Sequence, residues 1–364
     1  MKVLFVSAAA STFYDAYVHR LASLRAGLDK LGVETEMLSL GDLPFKKPFV
    51  ISPLNMMSLR RKFSGYDFIH AGNTSAAYLL SIARPFVKNC PEIIYDVHGD
   101  IVEEARLRRA GFTDLTNNFL IAQGRVMEAV ARAHSDLFIV CSEALKEHYV
   151  SCGIEKDRIA VVLNGVNIDA FNGAGVPGHD IFTVAYAGRF QKWQGVDNFL
   201  RAAELLAHEN IKFRIIGFQE TDAKLKKDIA GTLDNVELID SMPAASLQAF
   251  LKSSDGLAIP RAGHPALEVA FPTKYAEYLA CGVPVIVTRV GDVARLTEKY
   301  GCGLVCDPTP EALADTIMKL KDMPAEKRAG LGSNGRKLAG SLLSYDHISA
   351  AYHDFLLNAY RERN

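Results

Sequence analysis

Three short stretches carry residue types suited to holding a phosphorylated ligand. In AGRFQKWQG, residues 187–195, Arg189 and Lys192 lie between the end of a strand and Gly195, which opens a helix. Cations, free backbone N–H groups and a helix dipole together suit a diphosphate. The plain alternative is a pair of solvated loop residues, because the loop has no full GxGxxG or Walker pattern. In FPTKYAE, residues 271–277, Pro272 and Thr273 fit a helix start with Thr273 as N-cap. Lys274 then falls in the first turn, an unfavourable place for a cation unless an anion neutralises it. Glu277 is close enough to face the same side, where a carboxylate can accept both hydroxyls of a ribose; a surface Lys–Glu pair is the alternative. In DVHGD, residues 96–100, His98 suits a hydrogen bond to a sugar hydroxyl or donation to a leaving phosphate oxygen. Asp96 and Asp100 could orient it or bind an acceptor, and a purely structural histidine is the competing reading.

The elements that must position these residues follow from hydrophobic patterning. Short apolar runs at 2–7, 68–70, 93–96, 137–141 and 159–163 read as strands, with helical patterns at 17–31, 75–84, 118–134 and 143–149 between them. Such runs separated by helices indicate βα units and a parallel sheet covered on both faces. The segment FNGAGVPGHD, 171–180, has glycines, a proline and no apolar period, and marks a linker. The alternation then restarts, with strands expected at 182–187, 212–216, 236–239, 256–259, 285–288 and 303–306 and a helix at 195–208. Helical stretches from Pro324 and over 344–361 close the chain, the latter with Tyr352, Phe355, Leu356 and Ala359 at helical spacing. Asn164-Gly165 reads as a tight interdomain turn, with Asn164 satisfying backbone groups there. The expected architecture is α/β, two doubly wound sheets with a ligand cleft at their carboxyl ends.

At 364 residues the chain has room for two domains, and a formal net charge of -1 gives no general attraction to nucleic acid or anionic lipid. No aromatic–basic stripe suggests a nucleic-acid platform. Two local basic patches, Arg60-Arg61-Lys62 and Arg106 with Arg108 and Arg109, could meet a lipid phosphate or anionic acceptor; solvated helix faces are the alternative. No apolar run reaches spanning length, and Met1-Lys2 leads straight into VLFVS without a signal-peptide layout. The expectation is a cytoplasmic protein, at most in peripheral contact with the inner face of a membrane. The six cysteines are scattered and suit buried thiols, and Cys302 and Cys306 lack a cysteine–histidine pair at zinc spacing, so no metal is expected.

Taken together, these stretches resemble the retaining glycosyltransferases of GT-B architecture, of the group 1 and family 4 type. The resemblance is carried by DVHGD (96–100), CSEALKEHYV (141–150), VVLNGVNIDAF (161–171), YAGRFQKWQGVDNFLRA (186–202), RIIG (214–217) and FPTKYAEYLACGVPVI (271–286). It implies two Rossmann-like domains facing across a cleft, an acceptor-binding domain over 1–172 and a nucleotide-sugar-binding domain over 173–343, with a helix over 344–364 crossing back onto the first. It implies a nucleotide diphosphate sugar as donor, UDP- or GDP-linked, a carbohydrate or lipid-linked acceptor, and no cofactor or bound metal. Carried over residue by residue, Arg189 would contact the diphosphate, Glu277 the ribose, Lys274 and Thr273 the phosphates, and His98 the transferred sugar and leaving oxygen. A part in glycan, glycolipid or polysaccharide biosynthesis comes with the resemblance.

Two positions depart from the family pattern. Lys-Gly is common where this chain has Gln194-Gly195, and Lys192 could substitute for that lysine. The first of the family's paired glutamates is replaced by Val269, with Glu268 one residue out of register. A nucleotide-sugar epimerase of the same fold and a non-catalytic sugar-nucleotide-binding subunit are the rival readings. The first loop, SAAASTFYDAY, has no glycine, which speaks against a nicotinamide or flavin fingerprint.

Overall fold

The computed structural model describes residues 1–7, 16–40, 62–63, 65–108, 114–172, 181–190, 192–219, 226–227, 229 and 233–363. They form two units, Met1–Asn164 together with Tyr345–Asn364, and Gly165–Ser344. The first-loop residues 8–15, Arg60, Arg61 and Arg109, and most of the expected linker (173–180) lie outside the described residues.

In the first unit, β1 (Lys2–Ser7), β2 (Glu34–Ser39), β3 (Phe68–Ala71), β4 (Glu92–Val97), β5 (Leu137–Val140) and β6 (Ile159–Val161) form one parallel sheet in the order β2-β1-β3-β4-β5-β6. FIHA in β3 and LFIV in β5 are buried at every position, as strands covered on both faces must be. β2, ETEMLS, was not expected from the sequence. It is an edge strand whose burial alternates, so polar residues break the apolar run that marks the others. Helix Ala16–Lys30 buries Leu21, Leu24 and Leu28 on one face against Val3, Phe5 and Phe68. Each such leucine contributes about 1.5–3 kcal/mol by leaving water.

Helix Tyr345–Arg363 completes this core with Ile348, Tyr352 and Leu356. It approaches helix Ala16–Lys30 so closely that a Cβ on Gly27 would lie 2.0 Å from the Ser349 hydroxyl. The division between the units falls at Asn164/Gly165, ahead of the 172/173 boundary expected from composition. Residues 165–172 are tied to the second unit by hydrogen bonds. Val166 N–H donates to Leu343 O at 2.8 Å, and Phe171 O accepts from Lys252 Nζ at 2.6 Å.

The second unit contains β7 (Phe182–Ala187), β8 (Ile211–Phe218), β9 (Val236–Asp240), β10 (Gly256–Ile259), β11 (Val285–Thr288) and β12 (Gly303–Cys306), again all parallel. Their order is β12-β11-β10-β7-β8-β9. The chain starts at β7, builds outward through β9, then returns to lay β10 on the other side. The segments that leave β7 and β10 therefore flank the topological switch point, where open α/β sheets bind ligands. Those segments are Gly188-Arg189 and Pro260-Arg261. None of the six cysteines forms a disulfide, and Cys141, Cys281, Cys302 and Cys306 are buried.

Candidate functional site

At the end of β7 the backbone turns at Gly188 with φ +149, and a Cβ there would lie 2.6 Å from Lys274 Nζ and 3.1 Å from the Tyr186 hydroxyl. Glycine thus leaves the space that the Lys274 ammonium fills. Lys274 Nζ donates to the Tyr186 hydroxyl at 3.0 Å and to Gln194 Oε1 at 3.2 Å, and it sits 4.2 Å from the centre of the Tyr186 ring. Tyr186 in turn donates to Arg189 O at 3.1 Å. Helix Thr273–Ala280, which presents Lys274, is fastened to the same strand end by Tyr278: its hydroxyl accepts from Ala187 N–H at 2.7 Å and donates to Ala187 O at 3.2 Å.

Desolvation, then the nearby Arg261 guanidinium, pulls the Lys274 pKa down to about 7; Glu277 on the same helix works in the opposite direction. Arg261 is buried and donates to Ala270 O at 2.9 Å. It was missed in the sequence, although an arginine two residues after the apolar run 256–259 is an available signal. Arg189 and Glu277 are exposed, and Thr273 is half-buried. Thr273 is not the N-cap. Pro272 occupies that position with an extended backbone (φ -71, ψ 128) and no side-chain cap bond, so Thr273 becomes the first helical residue. The Lys192 side chain lies outside the described residues, while its backbone forms the short 3-10 turn Lys192–Gln194.

Gly195, at φ +74, begins helix Val196–Leu205, and a Cβ on it would come 1.6 Å from Pro260 O. Only glycine lets this helix N-terminus meet the segment leaving β10. Glu268, whose role was open, accepts from Gly291 N–H at 2.8 Å, at the start of helix Asp292–Tyr300. A carboxylate there complements the helix dipole.

In the first unit, Asp96 at the end of β4 is fully buried and lies in a closed set of partners. Arg20 Nε and Nη2 donate to its two oxygens at 3.2 and 3.3 Å. Arg20 also donates to Val162 O, Leu163 O and Asn164 Oδ1, at 2.7, 2.6 and 3.1 Å. Asn164 thus serves a buried arginine at the point where the units divide. Burial works to raise the Asp96 pKa, but Arg20, His98 and His70 outweigh it and hold the carboxyl well below the usual carboxylate range. His70 Nε2–H donates to ionised Asp96 at 3.3 Å, leaving His70 Nδ1 to accept from the Tyr352 hydroxyl at 2.8 Å.

His98 is partly exposed, 3.5 Å from Asp96 Oδ2, and its Nε2 donates to Gly72 O at 3.1 Å. Burial lowers the His98 pKa, with Asp96 opposing, so the ring is neutral at pH 7 and its lone pair is at Nδ1. Asp100 does not orient His98. Its Oδ1 caps helix Ile101–Arg108, accepting from Val102 and Glu103 N–H at 2.9 and 3.0 Å. Arg106 on that helix pairs with Glu103. Among the described residues no cluster of three or more histidine, cysteine, aspartate or glutamate side chains could hold a metal ion, and no helix is long and apolar enough to cross a membrane.

Residues 174–338 match the model of the family Glycosyl transferases group 1, and residues 19–170 match that of Glycosyltransferase Family 4. The MMP alpha-(1->4)-mannosyltransferase of Mycolicibacterium hassiacum is 25% identical over 324 residues, covering 86% of this chain and 76% of the relative. Sucrose-phosphate synthase from Thermosynechococcus elongatus has the same fold, with a TM-score of 0.76 at 18% identity over 99% of both chains. Anabaena HepE, solved in complex with UDP-glucose, superposes with a TM-score of 0.72 at 19% identity, over 98% of this chain and 100% of HepE.

Proposed function

The chain belongs to the GT-B glycosyltransferases, with a Family 4 half followed by a group 1 half, and on that premise we propose that it moves a hexosyl group from a nucleotide diphosphate sugar to an acceptor hydroxyl with retention of configuration. The observation that carries this reading is the Lys274 ammonium, desolvated beside Arg261 in the space left by Gly188, at the switch point of the second sheet. A cation in that state gains most from a bound anion, and a diphosphate supplies one.

In this reading Lys274, Arg189 and Lys192 hold the diphosphate, with the Thr273 hydroxyl close to the phosphates. Glu277 accepts the ribose hydroxyls. The UDP-glucose bound by HepE, a protein of the same fold, makes uridine the first base to try. In this reading His98 hydrogen-bonds a hydroxyl of the transferred sugar. The acceptor oxygen attacks the anomeric carbon on the face from which the diphosphate departs, and a diphosphate oxygen takes the acceptor proton. The cationic side chains stabilise the charge that develops there, without need of a bound metal. The acceptor is a carbohydrate or lipid-linked sugar of a glycan, glycolipid or polysaccharide pathway.

Nucleotide release from a panel of UDP-, GDP- and ADP-sugars, with and without mixed acceptors, tests the proposal on the wild type and Glu277→Ala. Release with one donor, stimulated by acceptor and lost in the variant, is the expected result. A donor altered without any acceptor would mark an epimerase instead. Silence with no nucleotide binding would sink the enzymatic reading.

A further inference from the structure

Lys274 bridges two points that follow one another closely in the chain. Its ammonium is held by the hydroxyl of Tyr186, inside β7, and by the amide oxygen of Gln194, at the end of the 3-10 turn Lys192–Gln194. The loop between those points carries Arg189. Each hydrogen-bonding role is fixed by its partners. The Tyr186 hydroxyl donates to Arg189 O, so it accepts from Lys274, and Gln194 can meet an ammonium only with its oxygen.

Resting on the donor-site reading above, we propose that Gln194 is a positioning residue of that site: its neutral acceptor holds the Lys274 ammonium over Gly188 and joins the Arg189 loop to helix Thr273–Ala280. Lys274 then brings from its helix the positive charge that a lysine at 194 would bring from the loop. The glutamine is part of the site's design and not a lost cation. A lysine at 194 would set two ammonium groups within about one side-chain contact of each other, and both cannot stay protonated there. The charged and titratable groups that already act on Lys274 are Arg261, from the segment after β10, Glu277, from its own helix, and Tyr186, from β7. With Arg261 present, a further cation adds to the repulsion that Glu277 opposes.

The test uses the full chain as wild type, Gln194→Lys, Gln194→Glu, Lys274→Gln and the exchange variant Gln194→Lys/Lys274→Gln, each checked for a native melting transition. Competitive acetylation of Lys274 from pH 6 to 10, read by mass spectrometry of its peptide, needs no ligand. Gln194→Lys should lower the Lys274 midpoint by about one pH unit or more, and Gln194→Glu should raise it by a similar amount. Calorimetric titration with UDP-glucose and GDP-mannose at pH 7 should show Gln194→Lys weakened about tenfold or more, and the exchange variant restored to within about threefold of wild type. An unmoved midpoint in both Gln194 variants, or Gln194→Lys binding as tightly as wild type, would overturn the positioning role. Midpoints that move as expected in a wild type that binds neither ligand would instead overturn the donor-site reading and leave the Gln194–Lys274 coupling standing.

Discussion

If a diphosphate completes the charge balance around Lys274, donor binding must take up a proton, and the structure sets how much. With its pKa pulled down to about 7, the unliganded lysine holds about 0.1 proton at pH 8 and about 0.9 at pH 6. A diphosphate in contact returns it toward its ordinary value, so binding at pH 8 should take up about 0.9 proton, and at pH 6 only about 0.1. Above pH 7 affinity should fall by up to about tenfold per pH unit. The assay is calorimetric titration with UDP-glucose in HEPES and in Tris at matched pH. Their ionisation enthalpies differ, so the difference in observed heat counts protons. A nucleotide sugar is the right ligand, because a free diphosphate ends in a monoester group that itself titrates near pH 6.

The sign of the accompanying stability change is opposite to that of affinity. The folded-state pKa lies below the unfolded one, so between pH 7 and about 10.4 the folded chain holds fewer protons than the unfolded chain. The penalty for charging Lys274 is full below pH 7 and gone above about 10.4, and the unliganded protein should gain stability as pH rises through that window. The shift corresponds to roughly 5 kcal/mol at most, and less in practice because the ammonium is only partly buried and solvent screens it. Lys274→Met should abolish both effects. Equal heats in the two buffers at pH 8, in a protein that binds the donor, would refute the placement of the diphosphate at Lys274.

Three further substitutions probe other parts of the two sites. Gly188→Ala puts a Cβ 2.6 Å from Lys274 Nζ at φ +149, and should cost about 1–2 kcal/mol in urea denaturation and lower donor affinity about tenfold or more in the same titration. Asp96→Asn leaves the Arg20 guanidinium buried without its carboxylate, and should lower stability by about 3–5 kcal/mol, read as a fall in the urea midpoint. Tyr352→Phe removes the hydroxyl that donates to buried His70 Nδ1, and should cost about 1–3 kcal/mol in the same measurement.

Strands buried on both faces were legible in the sequence almost to the residue. Lys2–Ser7, Phe182–Ala187, Gly256–Ile259 and Val285–Thr288 are mainly apolar runs, and the structure bounds them as the patterning does. β2 was not legible, because an edge strand exposes alternate residues and its ETEMLS pattern looks like loop. Helices Ala244–Lys252, Asp292–Tyr300 and Pro310–Asp322 were also not drawn from the sequence, although their residues follow recognisable strands. The site was legible as stretches and not as contacts. Arg189, Lys274 and Glu277 could be picked out locally, but Gln194 is 80 residues from the ammonium it accepts from, and Tyr186 is 88. Nothing local distinguishes a glutamine that holds a lysine from one that faces water. Asp100 illustrates the opposite error, since its pairing with His98 in the motif suggested chemistry while its carboxylate caps a helix.

The two candidate sites also differ in charge, and that difference says what each can receive. Around Asp96 the charges close on themselves: one carboxylate against one guanidinium, with two neutral histidines and the Tyr352 hydroxyl completing the hydrogen bonds. A further full charge there would have to be desolvated beside an ion pair that is already matched. Around Lys274 the charges do not close. Arg261 and Lys274 stand against Glu277, while Glu268 is engaged by the Gly291 N–H. Burial first, and then Arg261, depress the Lys274 pKa, and a bound anion would oppose both. On the proposed reading, a doubly charged diphosphate meets the cations of the second unit's site.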